Sequence, residues 1–170
     1  MAALGAYPVH RNTHLIPAML VFLLSGLLTV LELRLFGQSW PLTWLPLAVV
    51  ALWPRQVAML PTALLFMLGG LWVDWTTLGA PGQWSLVFLI AYLLVSPGRS
   101  EGDRGLTVGM SRFAATLAIG LPVFILTGRL VYGIWPDWAA LGRGVCVATV
   151  LVPLLILGRD ALARRMSRDD

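Results

Sequence analysis

Long apolar stretches, broken at uneven intervals by proline, glycine and charge, dominate the chain. Six stand out, at 15–36, 41–53, 56–73, 84–95 with its flanks, 113–131 and 138–157. Runs of this continuity predict membrane-spanning helices, because about 20 apolar residues cover a hydrocarbon core. The second run holds thirteen residues. As a helix it reaches only about 20 Å against a core of about 30 Å, so it predicts a re-entrant segment, or a tilted span lengthened by 36–40. The first run is too long for the apolar part of a cleaved signal and no small-x-small site follows it, so it is expected to remain as a span. The fold class expected is all-α: a polytopic integral membrane helix bundle with six transmembrane helices, the second one short. No linker divides the chain and no internal repeat shows. A single membrane domain over 1–170 follows, with a bundle at 15–158 between an N-terminal segment, 1–14, and a tail, 159–170. The longest polar stretch, 96–105, reads as a solvated connector rich in Gly, Pro and Ser.

Composition closes off the alternative of a water-soluble monomer. Of 170 residues 58% are hydrophobic and 12% charged, with mean hydropathy +0.82, where soluble domains carry about a quarter charged residues. The net charge of +4 does not point to nucleic acid, because all twelve basic residues are Arg, scattered singly or in pairs between apolar runs. They report topology instead, since cytoplasmic loops collect arginine. With both termini cytoplasmic, Arg11, Arg55, Arg99, Arg104, Arg112, Arg159, Arg164, Arg165 and Arg168 fall inside, leaving Arg34, Arg129 and Arg143 near outer helix ends. Tryptophan agrees: Trp40, Trp44, Trp72, Trp75, Trp84, Trp135 and Trp138 fall at the outer interface and only Trp53 inside, as expected of an aromatic belt.

Few residues can carry chemistry. Glu32, Arg34, Asp74, Arg129 and Arg143 are the ionisable groups of the spans, each in its outer third, where a charge costs less. Asp74 ends a helix, where the dipole disfavours a carboxylate, and so calls for a cation. Arg143, near the start of the last span, is the first expected partner and Arg129 the alternative. Asp137, between Pro136 and Trp138, is expected to cap the last span. Gly69, Gly70, Ala114, Ala118 and Gly120 are expected at close helix contacts. The only imidazoles, His10 and His14, precede the first span, and a single cysteine, Cys146, lies in the last. Neither a serine or cysteine hydrolase nor an aspartyl protease can be assembled from this set. No metal site, no cofactor and no enzymatic activity are expected.

The stretch Leu68-Gly-Gly-Leu-Trp-Val-Asp74-Trp-Thr-Thr-Leu-Gly79-Ala-Pro-Gly82 resembles MreD, the rod shape-determining membrane protein family. That family has a Gly four residues before an Asp at the end of a span, then a polar turn with Pro and Gly before the next span. Gly70, Asp74, Pro81 and Gly82 match it, although here Pro81 directly precedes Gly82 where the family often has an apolar residue between them. Chain length, a short second span and a basic tail fit the same outline. The resemblance implies a non-enzymatic scaffold subunit of the bacterial cell-elongation machinery in the inner membrane. It would bind an MreC-like bitopic protein and support lateral peptidoglycan synthesis beside RodA, its transpeptidase and the actin-like MreB. The alternative of similar size is the substrate-binding subunit of an energy-coupling vitamin transporter. Such subunits share an Ala-x-x-x-Ala surface on the first span, but here Ala18 is followed four positions later by Phe22. A membrane-bound lipid enzyme comes third, without the carboxylate and His set it needs.

Overall fold

The computed structural model describes residues 15–35, 37–54, 59–95 and 105–166, with backbone alone for 15, 32, 33, 35 and 159–166. His10, Arg11, His14, Arg55, Arg99, Arg104, Arg168 and the connector 96–104 lie outside the described residues, as do the side chains of Arg159, Arg164 and Arg165. Within them the elements run α1 (Leu15–Leu28), β1 (Glu32–Leu35), β2 (Gln38–Pro41), α2 (Leu45–Ala51), α3 (Met59–Thr76), α4 (Gln83–Val95), α5 (Leu106–Tyr132) and α6 (Trp138–Met166).

The expected first span is cut in two. α1 stops at Leu28, where Ser25 and Thr29 donate their hydroxyls to the carbonyls of Phe22 and Gly26 at 2.7 and 2.6 Å. Gly26 O also accepts the Thr29 amide at 3.2 Å, so side-chain and backbone donors of the same segment compete for the last carbonyls of the helix. Beyond them Glu32-Leu33-Arg34-Leu35 alternates polar and apolar, the period of a strand. It pairs antiparallel with β2, Leu33 opposite Trp40 and Arg34 opposite Ser39. Gly37 turns the hairpin with φ +75°, a left-handed conformation that tight hairpin connections require. The class is thus helical with one added hairpin.

The short second run forms a buried plug. α2 has seven residues, Pro46 in its first turn, and every side chain buried. At 1.5 Å per residue it is about 10 Å long, far less than a hydrocarbon core. A helix apolar on all sides can only be surrounded on all sides, and α2 packs against α1, α4, α5 and α6. It carries the chain from the hairpin end of the bundle to its middle. Trp53 lies there, buried rather than at an interface, its ring 4.9 Å from Phe66 and 6.2 Å from Phe22. Its Nε1 donates to Thr62 Oγ1 at 3.2 Å, which supplies the polar partner a buried indole needs.

α4 lies between α3 and α5, while α6 closes against β2, α5 and α2. Trp44, Trp84 and Phe124 pack with centroids 5.0–5.4 Å apart at the hairpin end, and Phe88 joins them to Phe22 and Phe66. The tryptophan set therefore divides. Trp44 and Trp84 are core, whereas Trp72, Trp75, Trp135 and Trp138 are exposed. Ala114 and Ala118 are exposed as well, because α5 turns its other face inward through Phe113, Thr116 and Gly120.

Three helices are long and apolar enough to cross a membrane: Met59–Thr76, Leu106–Tyr132 and Trp138–Gly158; α1 and α4 are shorter apolar helices. α5 starts seven residues before the expected 113, and α6 runs on into the tail as far as Met166. Leucines such as Leu20, Leu24, Leu130 and Leu154 cover the outside of the bundle. An apolar surface of this extent is foreign to water and natural to lipid.

Candidate functional site

The turn between α3 and α4 gathers all four residues of the motif. α3 ends because its last carbonyls are taken by the turn: Thr77 donates Oγ1 to Val73 O at 2.8 Å, and Gly79 N–H donates to Asp74 O at 2.8 Å. Leu78 adopts φ +52° and Gly82 φ +86°. These two left-handed residues fold 77–82 back so that α4 starts beside the end of α3. The Asp74 side chain, 3% exposed, then accepts Gly82 N–H on Oδ2 at 2.7 Å and Trp84 N–H on Oδ1 at 3.1 Å. Both amides belong to the start of α4, whose first N–H groups have no partner within their own helix.

Asp74 thus caps the helix that follows it. A carboxylate at the end of α3 does require positive potential, and the N-terminal dipole of α4 supplies it in place of an arginine. Arg143 and Arg129, expected as its partners, are engaged elsewhere. Arg143 Nε donates to Ser39 O at 3.0 Å, pinning α6 to the hairpin. Arg129 Nη1 donates to Gly133 O at 3.3 Å, and its guanidinium lies 5.0 Å from the Trp135 ring centre. Asp137 caps α6 as expected, its Oδ1 accepting the amides of Ala139 and Ala140 at 2.9 and 3.2 Å.

Gly70 lies one turn below Asp74. A Cβ there would overlap the backbone N and Cα of Ser85, so the absent side chain is what lets α3 and α4 touch. Ser85 Oγ donates to Met67 O at 2.7 Å across the same crossing. Gly69 makes room in the same way for the Phe22 ring. Gly82 differs, with open space around its missing Cβ. Only its φ requires glycine. Gly82→Ala is therefore expected to cost about 1–2 kcal/mol, the penalty of a left-handed L-residue, measured as a modest fall in unfolding temperature in detergent with the Asp74 cap retained.

Residues outside the motif complete the turn. Gln83 Nε2 donates to Phe124 O at 2.8 Å, beside Gly128, whose hydrogen leaves room for the amide. Tyr132 donates its hydroxyl to Pro81 O. The turn is so tied to α5 at two levels. Gln83 was legible as a polar residue opening an apolar run, but its partner 41 residues away was not. Next to the turn a cleft of about 270 Å³ opens between Pro41, Gln83, Trp84, Phe124 and Asp137. Its walls mix aromatic rings with proline and aliphatic side chains, two threonine hydroxyls, the Gln83 amide and the Asp137 carboxylate, and among the described residues no cluster of three His, Cys, Asp or Glu could hold a metal ion. The exposed tip carries Trp75 at 82% and Leu78 at 93% exposure.

Fold and site together define a helical bundle with an apolar exterior, three of its helices fit to cross a membrane, and one end organised by an internally capped turn. The chain matches no family model, no curated protein and no solved structure.

Proposed function

We propose that the chain is an MreD-like scaffold: a six-crossing, non-enzymatic subunit of the bacterial cell-elongation machinery in the inner membrane. It would bind an MreC-like bitopic protein and work beside RodA, its transpeptidase and MreB. The observation that carries this reading is the joint placement of Gly70, Asp74, Pro81 and Gly82. Gly70 sets the helix crossing, Asp74 fixes the start of α4, and Pro81 and Gly82 form the corner between them, held by Tyr132. A corner so braced presents Trp75 and Leu78 outward at little entropic cost, which suits docking by another protein better than turnover of a substrate.

The orientation follows from charge. Nine of twelve arginines fall, along the sequence, in the terminal segments and in the connectors between alternate apolar runs, which supports a cytoplasmic location for those segments and an outer one for the capped turn. The test is extraction of the tagged full chain from its own host in mild detergent, with mass spectrometry of what copurifies. Stoichiometric recovery of an MreC-like protein with RodA and the transpeptidase is the expected result. Recovery of cytoplasmic ATPases instead would make the chain a transporter subunit, and recovery of no partner would overturn the scaffold reading.

A further inference from the structure

We propose that Arg34 and Arg143 form a cradle, at the hairpin end of the bundle, for the phosphate of an anionic lipid headgroup. Among the described residues three arginines sit at that end, and their placement separates them. Arg129 is occupied by Gly133 O and Trp135. The other two both neighbour Ser39, one along the ladder and one from α6. Arg34 is the cross-strand neighbour of Ser39 in the hairpin, so the two side chains leave the same face of the ladder. Arg143 reaches Ser39 from α6 through Nε.

Donors remain on both groups. The Nε bond of Arg143 leaves its two Nη groups as a fork, and Arg34 is exposed. Among the described residues neither faces a carboxylate, because Asp74 and Asp137 are committed to backbone amides at helix starts. Planar guanidinium forks match the oxygens of a phosphate, and two of them approaching from different elements enclose one anion.

The position selects a lipid over a soluble anion. The patch sits where the apolar exterior ends, at the end of the bundle that carries the exposed rings of Trp72, Trp75, Trp135 and Trp138, and such rings gather at headgroup depth. A phosphate held there brings its acyl chains down along α1 and α6, whose outward faces are apolar.

The test is native mass spectrometry of the full chain released from detergent with phosphatidylglycerol or phosphatidylcholine added in equal amounts. The wild type is expected to retain phosphatidylglycerol preferentially. Arg34→Gln is expected to weaken that retention about tenfold, as loss of a charge-assisted phosphate contact does. Arg143→Gln is expected to act in the same direction but also releases Ser39, so Arg34→Gln, whose side chain holds nothing else among the described residues, decides. Arg129→Gln removes the same charge from the same end and should leave retention unchanged. Equal loss in Arg129→Gln would reduce the effect to bulk charge and overturn the proposal, as would unchanged retention in Arg34→Gln or no preference in the wild type. Displacement of the lipid by equimolar glycerol phosphate would overturn the lipid as the source of the phosphate.

Discussion

Replacing Asp74 by alanine is expected to destabilise the bundle by about 2–5 kcal/mol, since two amides lose their acceptor at about 1–3 kcal/mol each and the start of α4 loses its anion. The amides of Gly82 and Trp84 both point at this one side chain, and Trp84 is itself buried, so water replaces the carboxylate poorly there. Asp74→Asn keeps one acceptor but turns an NH₂ group toward the other amide, so its loss should fall between those of alanine and wild type. Thermal unfolding in detergent reads the order directly. The same experiment distinguishes a helix cap from an ion pair. Arg143→Gln should weaken the hairpin's attachment to α6 by releasing Ser39 O, and its effect should add to that of Asp74→Ala with a coupling near zero. Substantial coupling would mean that charge attraction between these residues contributes to the native state.

The helices α3 to α6 were legible because apolar runs ending at glycine, proline or charge leave little choice of element. The hairpin was not. Its strands sit inside a leucine-rich run, and continuous hydrophobicity outweighs the short alternation of Glu32, Leu33, Arg34 and Leu35 when the run is read as a span. Gly37, placed two residues after that alternation, was the signal that separates the two readings. The plug α2 was half legible: its length marked it as re-entrant or as a tilted, lengthened span, yet burial of Trp53 in mid-bundle depends on Phe22 and Phe66 from two other helices. The charge partners of Asp74 illustrate the same division. Helix-dipole reasoning correctly demands positive potential at the end of α3. Whether a guanidinium or a helix start supplies it depends on how the turn at 77–82 folds, and the left-handed conformation of Leu78 is one that leucine seldom adopts.

Gly70→Ala is expected to be as damaging as the loss of the cap, by about 3 kcal/mol, at the upper end of overpacking costs. The added carbon meets backbone atoms of Ser85, which no rotamer change can move. α4 must therefore shift as a body, and the shift pulls at the Ser85 bond to Met67 O and at the Asp74 cap one turn above. Gly69→Ala, by contrast, meets the ring of Phe22, a side chain that can give way within the aromatic cluster, so its loss should be the smaller of the two. Unfolding temperatures of the two variants in one detergent give the comparison. Adding Ser85→Gly to Gly70→Ala tests the cause: it removes the hydroxyl and Cβ but leaves the N and Cα that block the new methyl group, so it should restore nothing. Recovery of stability in that double variant would show that the two helices meet through side chains, and that the glycine does not set the crossing on which the capped turn is built.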